Sequence, residues 1–161
     1  MPRPIRVEFE GATYHILARG NERKAIFRSD KDRKLILETL RECIEQFGLV
    51  LHSYCLMPNH YHLVIQTPRG NLSRAMAWFQ TTYTVRFNRK HKRSGHLFQG
   101  RFKAILIEAD SYAIELIRYI HLNAVRPKDK TSVIPPENKE RLKTYPWSSH
   151  RAYAGYERAP A

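Results

Sequence analysis

Acidic residues are scarce in this chain: 15 Asp and Glu stand against 28 Lys and Arg, for a formal net charge of +13. Solubility alone does not require such an imbalance, which implies a polyanionic partner. Cysteine is nearly absent too. Cys43 and Cys55 show no repeated spacing, form neither a disulfide framework nor a ligand set by themselves, and read as small core residues of a reducing compartment. Long hydrophobic runs are missing: nowhere do the roughly 18 apolar residues of a membrane span follow one another. The opening MPRPIRVEFEGATYH lacks the apolar stretch of a signal peptide, so a cytoplasmic protein is expected. No basic amphipathic helix stands apart, and the basic residues lie among Phe, Tyr, Trp and Gln, which favours nucleic acid over a membrane surface. A Walker-type Gly-rich loop and a Ser-His-Asp arrangement are lacking as well.

What is present suffices for one compact domain. The 161 residues, 42% of them hydrophobic, can build a real core but not two. Neither a repeat nor a linker divides them, so residues 1–161 read as a single domain. TYHILA (13–18) is strand-like and Arg19-Gly20-Asn21 closes it with turn chemistry. Ser29 or Asp30 can start a helix running to Phe47, with Ile36, Leu37, Leu40, Ile44 and Phe47 at helical spacing and Gly48 as its stop. Residues 49–56 and 61–66 are strand-like and close enough to form an antiparallel hairpin. A second helix from about Asn71 places Leu72, Ala75 or Met76, Phe79, Tyr83 and Phe87 on one face. Residues 97–108 read as one or two strands, and a third helix spans about Ser111 to Val125, stopped by Pro127. Beyond Lys128 an irregular extension is expected. The class is α+β, a central antiparallel sheet with helices packed on it.

Chemistry concentrates in two places. In MPNHYHLVIQTP, His60 and His62 are two apart on a strand and share one side of the sheet, where two imidazoles can hold one metal. Tyr61, Leu63 and Ile65 take the opposite, core-facing side, leaving the histidine face open. Two half-buried structural histidines are the bland alternative. On the third helix Ala113, Leu116, Ile117, Ile120 and Ala124 form the apolar stripe, whereas Glu115, Tyr119 and Asn123 form a row off it. A tyrosine beside a metal can attack phosphorus and store the cleaved bond as an ester. With nine tyrosines in the chain, position alone does not select Tyr119.

Taken together, His60-Tyr61-His62 followed by SYAIELIRYIHLNAVRPK resembles the single-tyrosine HUH transposases of bacterial insertion sequences, and most closely their REP-associated tyrosine transposase branch. The likeness extends over Arg19-Gly20-Asn21, GHLFQGRFKAIL and the terminal YPWSSHRAY. It implies a ferredoxin-like or RRM-like HUH endonuclease fold and cleavage of single-stranded DNA next to hairpins through a 5′-phosphotyrosine. His60 and His62 match the metal-ligating pair and Tyr119 the nucleophile. Insertion-sequence members carry glutamine where Asn123 stands, as in the REP-associated branch, so Asn123 is the implied third ligand and Glu115 the alternative. The implied cofactor is Mg²⁺ or Mn²⁺, and two imidazoles with an amide suit Mn²⁺ better. A monomer is expected rather than a dimer that exchanges the tyrosine helix.

The DNA surface is expected from Arg86, Arg89, Lys90, Lys92, Arg93, Arg101 and Lys103, a basic run without acids that is interleaved with Phe87, His96, Phe98 and Gln99. Arg19, Asn21 and Gln99 join this set from the segments the resemblance covers. His15 could flank the site, although a satisfied structural histidine is the preferred reading. Rival functions are a non-catalytic nucleic-acid-binding regulator, against which the intact His60, His62 and Tyr119 speak, and an HUH replication initiator or relaxase, against which the small size speaks.

Overall fold

The computed structural model describes residues 5–108, 110–127 and 133–158. Strand β1 (Ala12–Arg19) alternates strictly: Ala12, Tyr14, Ile16 and Ala18 are buried in the main core, and Thr13, His15, Leu17 and Arg19 face the other way. Helix α1 (Asp30–Phe47) starts after extended Ser29 and ends at Gly48, whose φ of 65° is the left-handed conformation that closes a helix cheaply only with glycine. Strands β2 (Val50–Met57) and β3 (His60–Thr67) make the expected hairpin around Pro58-Asn59. A bulge between Leu51 and Ser53 resets the pleat of β2 without disturbing β3. Helix α2 (Leu72–Lys90) buries Leu72, Ala75, Met76, Phe79, Tyr83 and Phe87, the face anticipated from spacing.

Of residues 97–108 only Lys103–Ile107 forms a ladder strand, β4. The part before it bends at Gly95 and Gly100, with φ of 91° and 65°, and lies against the end of β1: Asn21 N–H donates to Leu97 O and Gln99 N–H to Arg19 O, both at 2.8 Å. The sheet order is β2-β3-β1-β4 with every neighbouring pair antiparallel. Two β-α-β units are thereby interleaved, which is the ferredoxin-like arrangement. Helices α1 and α2 cover one face. There Tyr61 packs edge-on against Phe79 and Phe98 at 5.8 Å, and Tyr83 O–H donates to Ile26 O at 2.6 Å. Each such large side chain contributes roughly 1.5–3 kcal/mol by leaving water, so this face carries the stability and frees the other for chemistry.

Helix α3 (Asp110–Leu122) lies on that other face, Leu116 and Ile120 packing with Cys55 and Val64. It is shorter than expected. The residue before a proline avoids the α region, so Arg126 is extended at φ −70°, ψ 134°, and the chain tightens into a 3₁₀ turn over Asn123–Val125. The C-terminal extension is also more regular than its composition suggested. Residues 128–132 lie outside the described residues, but α4 (Pro136–Thr144), started by Pro136 in its first turn, and the short α5 (His150–Tyr153) follow. Between them the chain pairs with the free edge of β2: Leu56 N–H donates to Trp147 O at 2.8 Å and Ser149 N–H to Tyr54 O at 3.0 Å. An exposed strand edge is thus covered by the chain itself.

The corner joining β1 to its surroundings tolerates no side chain at Gly20, where an added Cβ would sit 2.0 Å from the Lys24 carbonyl oxygen and 3.1 Å from Ile26 Cγ2. Gly20→Ala is expected to cost about 2–3 kcal/mol in urea unfolding. An unchanged midpoint would contradict this packing.

Candidate active site

His60 and His62 project from β3 on the face opposite Tyr61, with ring centroids 5.2 Å apart and planes nearly perpendicular. Their cross-strand neighbours on β1 are Arg19 and Leu17, and Leu17 in turn faces Lys103 on β4. His60 Nδ1 lies 2.7 Å from Asn59 Oδ1, while the Asn59 amide nitrogen donates to Arg23 O at 3.2 Å. That second bond orients the amide, so His60 Nδ1 carries the proton and Nε2 keeps its lone pair. His62 Nδ1 lies 2.9 Å from His15 Nε2, the two rings stacked at 17°. On its other side, His62 Nε2 lies 3.3 Å from Asn123 Nδ2. An amide NH₂ can only donate, so His62 Nε2 accepts and its Nδ1–H donates to His15.

Electrostatics keep these rings neutral. Burial pushes His62 down to about 3, with the charges of His60, His15 and Arg19 acting in the same direction. His60 is lowered by burial and then by Arg19, and His15 by burial. Neutral imidazole is the form in which histidine binds a cation, and the His62 Nε2 lone pair, which here accepts from Asn123, is released for one when that amide turns. The histidine face is less open than expected: His15 and His62 are buried, because Leu116 and Ile120 bring α3 down onto Cys55 and Val64 beside them.

The row on α3 divides. Leu116 and Ile120 point inward, and Tyr119 remains 46% exposed. Asn123 reaches His62. Glu115 instead pairs with Arg118 at 3.0 Å on the outer surface. Arg126 places its guanidinium carbon 4.9 Å from the Tyr119 ring centroid. Helix α3 is tied down further by His121, whose Nε2 lies 2.7 Å from Ser149 Oγ and 3.2 Å from Ser53 Oγ, and by Asn138, whose amide donates to Val125 O at 3.0 Å. Sequence reasoning passed over Asn59, Arg126, His121 and Ser149. It weighed His15 as a satisfied structural histidine, and His15 is buried and hydrogen-bonded, its partner being His62. Only the adjacency of Asn59 to the first histidine offered a signal.

The basic run also divides. Arg86 forms a two-pronged bond to Glu42 at 3.0 and 2.8 Å and a third to Thr39, joining α2 to α1. Lys90 pairs at 2.6 Å with Asp32, a fully buried carboxylate that also meets His91. Arg93 organises its own loop through Asn88 Oδ1 and His96 O. Arg19, Arg89, Lys92, Gln99, Arg101 and Lys103 are exposed, and the charged members of this group make no ion pair among the described residues. Asn21 sits in the 3₁₀ turn (Asn21–Arg23) after β1. Among the described residues no helix is long and apolar enough to cross a membrane.

Residues 8–123, more than two thirds of the chain and including the histidine pair, Tyr119 and Asn123, match the family described as IS200-like transposases. The chain belongs to the IS200-like transposase family. No curated protein matches it. Among solved structures, the chain resembles a REP-associated tyrosine transposase bound to a REP hairpin, at 16% identity and a TM-score of 0.72 over 96% of this chain and 86% of that one. It also resembles a candidate transposase from Deinococcus radiodurans R1, at 15% identity and a TM-score of 0.52 over 82% of this chain and all of the other. At these identities the likeness shows the fold, and it agrees with the ferredoxin-like order found above.

The buried histidines of the chain make its stability depend on pH. Burial, followed by the charge of His150, holds His121 at about 4, below the unfolded value of about 6.5. The unfolded chain therefore binds protons first, and the contribution of His121, complete above about pH 6.5, is lost as pH falls toward 4. Denaturant titrations of metal-free protein should show a loss on the order of 2 kcal/mol from this group between pH 7 and pH 4, and His121→Gln should flatten the slope. Stability independent of pH over that range would contradict the assignment.

Proposed function

We propose that this transposase cleaves and rejoins single-stranded DNA beside hairpins, with Tyr119 as nucleophile and His60, His62 and Asn123 as holders of a divalent cation. The observation that carries the reading is the 3.3 Å contact between Asn123 and His62, which brings the tyrosine-bearing end of α3 to the histidine pair within one chain. The donor set fits a cation: His60 offers Nε2, and His62 offers Nε2 once the Asn123 amide turns its NH₂ away and presents its oxygen, with Asn59 and His15 beside the two Nδ1 atoms. When bound there, Mn²⁺ or Mg²⁺ supplies Lewis-acid polarisation of a phosphate oxygen. Asn123 is favoured over Glu115, which is engaged with Arg118 on the outer surface.

The chain's own residues do the rest. Tyr119 Oη forms a bond to phosphorus while the P–O3′ bond breaks; the phenol gives its proton to solvent and the leaving 3′ oxygen takes one from solvent. The product is a 5′-phosphotyrosine with a free 3′-hydroxyl. Attack by a 3′-hydroxyl reverses the step and joins strands, so no nucleotide cofactor is required. Because α3 lies on its own sheet, a monomer suffices. The substrate follows from the solved relative, whose partner is a REP hairpin. Arg19 and Lys103, in the cross-strand rows of His60 and His62, would meet the strand near the cut. Arg89, Lys92, Arg101, Gln99 and Asn21 would extend the contact. Arg86, Lys90 and Arg93 would serve mainly by holding α2 and its loop in place.

Three outcomes test this reading. Tyr119→Phe should keep the fold and DNA affinity but form no denaturation-resistant adduct with a hairpin oligonucleotide and Mn²⁺. An adduct formed at the unaltered rate would mean that another group attacks. In calorimetry His60→Ala and His62→Ala should abolish Mn²⁺ binding, and Asn59→Ala, which frees only the outer nitrogen of His60, should weaken it roughly 10- to 100-fold. Mn²⁺ affinity unaffected by all three would sink the metal assignment. With about five phosphates neutralised, log affinity should fall with log salt at a slope of roughly −3.5. A salt-insensitive affinity would contradict the DNA surface.

A further inference from the structure

The guanidinium of Arg126 has two features that no structural role accounts for. Its carbon lies 4.9 Å from the centroid of the Tyr119 ring, and its Nε is buried with no hydrogen-bond partner among the described residues. Two other arginines share the second feature without being left unpaired: Arg33 also bonds Asp30, and Arg151 Nε lies 3.6 Å from the Glu157 carboxylate. Arg126 has no carboxylate partner among the described residues. Nε is closed off from solvent, but the residue as a whole is half-buried, so the remainder of this guanidinium is open to an acceptor from outside the chain. The site lies in a chain with a net charge of +13 and beside a tyrosine that faces solvent, so an anionic oxygen is the acceptor its chemistry suits.

We propose that Arg126 is a catalytic residue whose guanidinium binds a non-bridging oxygen of the phosphate that Tyr119 attacks; this rests on the reading of Tyr119 as nucleophile given above. A cation over the face of the ring leaves the hydroxyl, in the ring plane, uncovered. It therefore holds positive charge beside the nucleophile without blocking its path. As the Tyr119 Oη–P bond forms and the P–O3′ bond breaks, charge accumulates on the non-bridging oxygens, and a fixed donor there gains strength in the transition state. The backbone provides the fixing. Pro127 holds Arg126 extended, and the 3₁₀ turn over Asn123–Val125 sets its distance from Tyr119, so the sequence that ends α3 also aims the guanidinium.

The test is single-turnover cleavage of a hairpin oligonucleotide with Mn²⁺ by Arg126→Met and Arg126→Lys. Each is assayed on a phosphodiester substrate and on one whose scissile linkage is a methylphosphonate, in which an uncharged methyl replaces a non-bridging oxygen. Arg126→Met should slow phosphodiester cleavage roughly 100- to 1,000-fold, the usual effect of deleting one such donor, with DNA affinity little changed. On the methylphosphonate the penalty should disappear, because the charge it answers is gone. Arg126→Lys keeps a cation and gives an independent reading if the methionine variant folds poorly; it should show a smaller loss that also vanishes on the neutral linkage. Equal slowing on both substrates, or no slowing on the phosphodiester, would overturn the proposal while leaving Tyr119 in place. Cleavage by Tyr119→Phe at the unaltered rate would overturn the functional reading and this proposal with it.

Discussion

The contact between Asn123 and His62 is the point on which the candidate site depends, because it joins two elements with separate reasons to exist. Strand β3 is fixed by its buried side, where Tyr61, Leu63 and Ile65 enter the core, and the strict alternation of a strand then sends His60 and His62 to the far face. Helix α3 is fixed by Leu116 and Ile120 against Cys55 and Val64. Neither element needs the other's polar residues in order to pack. Where they meet, a row of polar contacts runs from His15 through His62 to Asn123. Burial keeps the two imidazoles of that row neutral, and the contacts are directional, so a modest displacement of α3 would cost hydrogen bonds rather than merely apolar area.

The two faces of the sheet thus divide the work. The face under α1 and α2 holds the large aromatic core, and the buried Asp32 with Lys90 and His91 adds an ionic clasp between α1 and the end of α2. The opposite face is thinly covered, with a small apolar cluster under α3 that draws on Cys55 of β2, Val64 of β3 and Ile107 of β4. The C-terminal segment completes that edge: its extended stretch pairs with β2, and Ser149 receives His121 from α3. A segment that sequence composition presents as an irregular tail is therefore part of the frame that holds the tyrosine helix.

Much of this was legible in the sequence where periodicity and punctuation agree. Alternation in β1 and β3, the helical spacing of Ile36, Leu40, Phe79 and Tyr83, and Gly48 as a stop all act locally and were found in place. The family was legible from the order of the histidine pair and Tyr119, which stand within the stretch that the family model matches. What stayed hidden depends on contacts distant in sequence. Asn59 bonds a histidine only because Arg23, 36 residues away, orients its amide. Arg86 and Lys90 look like members of a DNA-binding run until Glu42 and Asp32 are brought beside them. Residues 136–144 carry little apolar periodicity, and their helix is held by Leu142 and by Asn138 reaching Val125.

The central claim is that Nε2 of His60 and Nε2 of His62 face the place where Asn123 arrives, with Asn59 and His15 holding the opposite nitrogen of each ring. The most direct measurement is a crystal structure of the Mn²⁺-soaked protein with anomalous diffraction at the manganese edge. The account predicts one strong peak, within bonding distance of His60 Nε2, His62 Nε2 and the side-chain oxygen of Asn123 after its amide turns. A peak held by Glu115, or Mn²⁺ bound elsewhere with this histidine pair vacant, would contradict it.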